Sequence, residues 1–309
     1  MTSFLLYLYT ESPLHAGGAD TDGSVDLPIQ RETATGYPLV WGQSLKGALR
    51  QAAYDAGWHE EHRNGKGPTL LDEVFGRAVG GENGPGVNPS AGMLSVGDAQ
   101  LVALPVPTLH RTFAWATSPL ALSRLARKYA HARIHRTPPP VPKVRPAEGV
   151  CATDTWKDEE QVLGPCLVRV DRAKNGQANP ASAWAEVIAA EGIGDEPHLE
   201  VFADKLREDL LVLGEDVMGQ LLRECTEQSV RVQLNPDTKT VENGPFTSEY
   251  LPAETLLAAV LTLRDRDATE EHRSRLTGLL DKTVLQIGGD ETLGKGLVWS
   301  RLVKAVPGE

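Results

Sequence analysis

The chain has 309 residues, enough for one large domain or two ordinary ones. Hydrophobic residues make up 40% and charged residues 24%, which excludes wholesale disorder. The formal net charge of −11 argues against a molecule basic all round. Charge is uneven, however: residues 105–150 carry eight Lys and Arg against one acid, and residues 185–216 ten acids against two bases. A basic face on an acidic molecule therefore stays open, and so does contact between the two stretches across an interface between copies.

The opening MTSFLLYLYTES is apolar but lacks a basic flank and is cut short by Glu11, so it reads as a buried strand rather than a signal peptide. No run approaches the ~18 apolar residues of a membrane helix. Cys151, Cys166 and Cys225 are far apart and form no CxxC, which predicts a reduced, cytoplasmic protein without a zinc site.

Residues 4–10 predict a central strand, and 11–23 a turn-rich loop. Ser44 is the expected N-cap of a helix whose apolar face is Leu45, Ala48, Leu49, Ala52 and Ala53, with Gly57 as its stop. Residues 57–92 are polar and Gly-rich, with one short apolar helix at 70–75. Residues 93–104 predict a strand bulged at Gly97-Asp98. Ser118-Pro119 starts a helix, and 133–149, with its triple proline, is an extended loop. A strand at 161–170 precedes helices at 181–191, 199–213 and 215–225. Residues 228–235 and 246–251 read as a hairpin around Asn235-Pro236-Asp237. A strand at 255–264, a helix at 269–282 and two strands within 283–303 close the chain. The order suggests an α+β fold built on a ferredoxin-like unit. One domain over 1–309 is favoured, with insertions at about 57–92, 131–160 and 175–227 and a projecting hairpin near 228–251.

Five groups of residues could carry chemistry. Asp20, Asp22 and Asp26 surround Gly23, but the twelfth position of a calcium loop would be Arg31, so that reading fails. Asp26 differs from the others in lying between Val25 and Leu27-Pro28-Ile29, an apolar frame that requires a partner or a purpose. His15, on the loop after the first strand, has the residue type of a general acid or base and equally that of an inert loop histidine. GQSLKGALR puts Lys46 and Arg50 on one face of a helix whose free N-terminal amides suit an anion, but it is no Walker motif. GGDETLGKG, residues 288–296, allows close backbone approach and adds Lys295, or is simply a tight turn. Phe246 and Tyr250 could stack on bases or pack the hairpin.

Together, LHAGG (14–18), VDLPIQRE (25–32), TGYPLVWGQSLKGALR (35–50) and QIGGDETLGKGLV (286–298) resemble the RAMP superfamily of CRISPR proteins. With SVGDAQLVALPV (95–106), FAWATSP (113–119) and KTVENG (239–244), the chain looks like the backbone subunit of the type III-B, or Cmr, effector complex. The resemblance implies a ferredoxin-like, RRM-like core with helical insertions and a β-hairpin thumb. It implies subunits stacked head to tail with other Cmr proteins on CRISPR RNA, and target RNA cut beside each thumb in a reaction that depends on a divalent metal, expected to be Mg. It carries the catalytic and metal-binding role to Asp26. His15, Glu242 and Glu249 are expected to assist, and Gln43, Ser44, Lys46, Arg50, Gly288, Gly289, Lys295 and Tyr250 to hold RNA. The rival readings are a non-catalytic RNA-binding backbone, a guide-processing nuclease, and a metabolic enzyme for a phosphorylated small molecule; the last lacks a nucleotide fingerprint.

Overall fold

The first strand, Thr2–Thr10, is a run of apolar and aromatic residues from Phe4 to Tyr9, as suits a strand covered on both faces. Phe4, Leu6 and Leu8 enter one core, and Leu5, Tyr7 and Tyr9 enter the other. The computed structural model describes residues 2–18, 25–62, 67–77, 89–134, 136–156, 159–172, 179–264 and 268–304. Asp20 and Asp22, and parts of the expected insertions, lie outside the described residues.

Thr2–Thr10 pairs antiparallel with Leu256–Leu263 on one side and with Leu297–Lys304 on the other. Leu256–Leu263 pairs in turn with Leu94–Val96 and Ala99–Pro107, again antiparallel. Those two strands are separated at Gly97-Asp98, where the sequence predicts a bulge. Thr283–Gln286 forms the outer edge beside Leu297–Lys304. At the other end Ala99–Pro107 continues into Phe113–Thr117, and the sheet extends through Leu210–Leu213, Glu148–Cys151, Cys166–Arg172 and Glu159–Leu163. Two of these contacts are parallel, so the sheet is mixed.

The described helices are α1 (Gly42–Asp55), α2 (Leu70–Phe75), α3 (Pro119–His131), α4 (Pro180–Ile188), α5 (Glu200–Asp209), α6 (Glu215–Glu224) and α7 (Glu270–Leu280). Leu45 and Leu49 of α1, Leu71 and Val74 of α2, Leu221 of α6 and Leu276 of α7 join the Phe4–Leu6–Leu8 core. Leu122 and Leu125 of α3, Trp184 of α4 and Leu206 of α5 fill the other. None of the described helices is long and apolar enough to cross a membrane.

Three local expectations change. The helix expected over 199–213 ends at Asp209, and Leu210–Leu213 is a strand buried between Phe113–Thr117 and Glu148–Cys151. Four consecutive apolar residues fit a strand covered on both faces as well as a helix, so periodicity does not separate them. The strand expected over 161–170 is a hairpin, Glu159–Leu163 and Cys166–Arg172, turning where Gly164 takes φ +52. The basic and acidic stretches meet within one chain: Arg111 Nε binds Asp209 Oδ1 at 2.7 Å, Arg111 also bonds Glu208, and Arg136 reaches Glu191 at 3.2 Å. These five charges are paired within the chain.

Glu227–Leu234 and Val241–Tyr250 form a separate two-stranded ribbon. Its return strand starts earlier than position 246, and most of its length is exposed. Asn235 closes the turn, with its Oδ1 accepting from the backbone N–H groups of Asp237 and Thr238.

Candidate functional site

Asp26 lies at the foot of this hairpin. Leu27 pairs in parallel with Ser248: its N–H donates to Thr247 O at 3.0 Å, and its carbonyl accepts from Glu249 N–H at 2.9 Å. That short pairing brings Asp26 Oδ2 to the Thr247 N–H at 2.8 Å. Asp26 is exposed rather than framed by apolar side chains, because Leu27 is itself 44% exposed. One carboxylate oxygen is held, and the other has no partner among the described residues.

His15 reaches the same strand. Its Nδ1 donates to the Glu249 carbonyl at 2.7 Å, and Nε2 has no hydrogen-bond partner among the described residues. Thr247 and Glu249 are two residues apart, so their backbone groups face the same strand edge about 7 Å from one another. Asp26 and His15 are thus gathered at one place by backbone contacts alone.

Glu249 and Glu242 take other positions. Glu249 is 6% exposed, and its carboxylate is engaged by Arg31 Nη2 at 2.5 Å, Thr226 Oγ1 at 2.8 Å and the Ile29 N–H at 3.1 Å. A carboxylate so occupied positions the Asp26 segment and has little freedom to move a proton. Glu242 sits near the hairpin tip, exposed, five residues from Thr247 and so roughly 17 Å along the strand from the Asp26 contact.

The glycine loop closes the site from the other side. Gly289 N–H donates to the His15 carbonyl at 2.9 Å, so this amide is already used within the fold. Gly288 has φ +83, and a Cβ there would meet His15 O at 2.4 Å; no other residue fits. Tyr250 does not offer its ring to a base. It is 1% exposed, lies 5.5 Å from the His15 ring with Lys295 Nζ 5.1 Å over its own, and donates its hydroxyl to Asp290 Oδ2 at 2.7 Å. Burial, then that hydrogen bond, holds the phenol pKa above its ordinary value. Phe246, 45% exposed, is the aromatic left open on the hairpin.

Helix α1 divides the residues expected to share one anion site. Its N-cap is Trp41 rather than Ser44, and the Gly42 N–H donates to Asp98 Oδ1 at 2.7 Å, so a carboxylate of the chain already takes the first amide. Gln43 and Ser44 line a groove of about 670 Å³ between α1 and the edge strand, together with Gln51, Gln286 and Gly288. The charged residues of that groove are Asp55 and Glu291, so it suits neutral hydrogen-bonding groups better than phosphate. Lys46 and Arg50 point instead into a second cleft on the opposite flank of α1.

Several connecting residues carry no mark in the sequence. Gln30, 4% exposed, donates to Gly17 O at 3.0 Å and to Ser44 Oγ at 3.3 Å and accepts from Trp41 N–H at 2.7 Å, joining the His15 loop to the start of α1. Arg231 binds Asp290 Oδ1 at 2.9 Å and Ser248 Oγ at 2.8 Å. A buried glutamine and a surface one look alike in a string of letters, and the place of Gln30 within VDLPIQRE is the one signal that points to it.

Among the described residues, no group of three His, Cys, Asp or Glu could hold an ion. Asp26 offers one carboxylate oxygen without a partner among the described residues, which fits a magnesium ion held mainly by water and phosphate oxygens of a substrate.

A family model for the RAMP superfamily matches residues 7–299. The chain belongs to the RAMP superfamily. It is 30% identical, over 96% of its own length and 95% of the relative's, to the CRISPR system Cmr endoribonuclease Cmr4 of Pyrococcus furiosus. A crystal structure of oligomeric Cmr4 from the same organism superposes with a TM-score of 0.71 at 26% identity, covering 99% of each chain. A chain in a cryo-EM structure of the type III-B Cmr-beta complex bound to cognate target RNA shares the fold, with a TM-score of 0.69 at 18% identity, over 98% of this chain and 97% of that one.

Proposed function

We propose that this chain is the backbone subunit of a type III-B CRISPR effector that works in the cytoplasm, stacks head to tail with copies of itself and other Cmr subunits on CRISPR RNA, and cuts complementary target RNA. The relation to a Cmr endoribonuclease over nearly the full length supports the activity, and the oligomeric relative supports the stacking. The antiparallel order Leu297–Lys304, Thr2–Thr10, Leu256–Leu263, Ala99–Pro107, with α1 and α7 as connections, supports a ferredoxin-like core. The rest of the chain is then insertion within one domain, and the exposed ribbon is the thumb.

The observation that carries the reading is Asp26, an open carboxylate fixed to the base of that ribbon by the Thr247 N–H. In the reaction proposed, a ribose 2′-hydroxyl attacks the adjacent phosphorus and passes its proton to Asp26. The P–O5′ bond breaks, and the 5′-oxygen takes a proton from Nε2 of His15 in its imidazolium form, which keeps its Nδ1 proton on the Glu249 carbonyl, leaving a 2′,3′-cyclic phosphate and a 5′-hydroxyl. A divalent metal arriving with the RNA would neutralise phosphate charge. Glu249 serves as a positioning residue, and Glu242 belongs with the RNA-facing tip. Lys46 and Arg50 hold guide phosphate, Lys295 adds charge behind Tyr250, and Gln43, Ser44 and Gly288 face the uncharged side of the guide.

The test is an assembled complex carrying Asp26→Asn. Target binding should persist and cleavage should fall by about 10²-fold or more. Undiminished cleavage would refute the assignment. Chelation should stop cutting by the wild-type complex, while the RNA-free chain should bind Mg only weakly.

A further inference from the structure

The cleft that receives Lys46 and Arg50 is also lined by Arg77, Arg264 and the backbone of Gly76, Ser90, Ala91 and Gly92, and has a volume of about 320 Å³. Four cations therefore converge in one small concavity of a chain whose net charge is −11. Arg77 is neutralised by Asp72, which accepts from its Nε at 3.0 Å and its Nη2 at 2.7 Å. The other three have no carboxylate partner among the described residues. Lys46 gives one hydrogen bond, to the Leu94 carbonyl at 3.1 Å, and keeps two donors. Burial, then the charge of Arg264, holds its pKa below the ordinary lysine value.

Like charges gathered in a partly desolvated cleft repel, and an anion arriving there would relieve that repulsion and fill the vacant donors. The glycines let the two segments that form one wall of the cleft meet backbone to backbone: a Cβ on Gly92 would meet Phe75 C at 2.3 Å, and one on Gly76 would meet Gly92 N at 2.7 Å.

We propose that Arg77 and Arg264, with Lys46 and Arg50, form a phosphate seat on the flank of α1 opposite the Gln43–Ser44 groove, and that its occupant is a phosphodiester of bound RNA. This rests on the RNA-binding reading above and extends it. The two flanks of α1 divide the work, with charge neutralised on one and uncharged groups met on the other. Guanidinium groups suit the task because their paired donors match two phosphate oxygens. Arg264 follows directly from Leu256–Leu263, a strand packed against Thr2–Thr10, so its backbone is rigidly placed.

The test uses the full chain with Arg264→Gln, Arg77→Gln and the double variant, with single-stranded RNA of about 30 nucleotides and inorganic pyrophosphate as probes. Each cation removed from a bound phosphate should reduce the slope of log affinity against log salt by about 0.7. Pyrophosphate should raise the melting temperature of the wild type and not of the double variant, and Arg264→Lys should restore part of the salt dependence. Unchanged slopes and an unchanged pyrophosphate response in folded variants would overturn the seat. Wild-type chain that binds no RNA, yet loses pyrophosphate stabilisation in the variants, would keep the phosphate seat and defeat the RNA reading. Variants that lose self-association while keeping the wild-type RNA slope would assign the cleft to carboxylates of a second copy and overturn the proposal.

Discussion

Arg231 donates to Asp290 Oδ1 at 2.9 Å, which ties the projecting hairpin to the glycine loop. Asp290 also receives the Tyr250 hydroxyl, so the same carboxylate braces both strands of the ribbon. Burial acts to raise its pKa, but the hydrogen bonds from Tyr250 and Arg231 outweigh burial and hold it below the ordinary value. A depressed carboxylate pKa stabilises the fold above the unfolded value and loses that contribution as pH falls through the folded one. The brace should therefore hold near neutrality and fail only in acid below about pH 4. Asp290→Asn should loosen the hairpin at every pH. Hydrogen exchange at Glu227–Leu234 and Val241–Tyr250 should quicken while the central strands keep their protection.

Glu249, a catalytic candidate by sequence, has contacts that predict a different signature. Removing its charge leaves Arg31 half-buried without its ion-pair partner, and an amide keeps only one of the two accepting oxygens that serve the Ile29 N–H and the Thr226 hydroxyl. Glu249→Gln should cost about 2–3 kcal/mol in denaturant unfolding. In a double-mutant cycle with Arg31→Met the two effects should be strongly non-additive. Cleavage by the folded variant should fall modestly, because Asp26 is held by the backbone of Thr247 and not by Glu249 itself.

The order of strands, the hairpin and the two functional loops are legible because each is written locally: an apolar run at 4–10, a turn at 235–237, glycines at 288–296. What is not legible depends on contacts between distant segments. Glu249 reads as a free acid until Arg31 arrives beside it, and Tyr250 reads as a stacking ring until His15 and Lys295 cover it. Lys46 and Ser44 look like one site along the helix, yet at 100° per residue they stand about 200° apart and face different clefts. Leu210–Leu213 reads as the end of a helix because a fully buried strand lacks the alternation that would mark it.

Glu254 gives the fold a separate dependence on pH. Its Oε2 is buried without a hydrogen-bond partner, and burial raises its pKa from 4.5 to about 7. Between those values the folded chain keeps a proton that the unfolded chain has released, so stability declines as pH rises across the window. The thermal midpoint of the wild type should drop between about pH 5 and about pH 8. Glu254→Gln should flatten that decline and raise the midpoint at the upper end. A decline of equal size in both proteins would assign it to other groups.

Gly288 and Gly289 are adjacent, yet the structure makes them unequal. A Cβ on Gly288 would press on His15 O at 2.4 Å and on Leu14 Cδ1 at 3.0 Å, with the backbone at φ +83. At Gly289 the nearest atom would be His15 Cδ2, at 3.5 Å, which is ordinary contact. Gly288→Ala should cost about 1–3 kcal/mol from its backbone conformation, before the clash is counted. Relief of the clash requires the His15 backbone to move, which lengthens the Nδ1 bond to the Glu249 carbonyl and displaces Nε2. Single-turnover cleavage by Gly288→Ala should therefore fall with target affinity near the wild-type value, and Gly289→Ala should change little in either measurement. Equal declines in the two variants would mean that the loop acts by touching RNA, because only support of His15 distinguishes one glycine from the next.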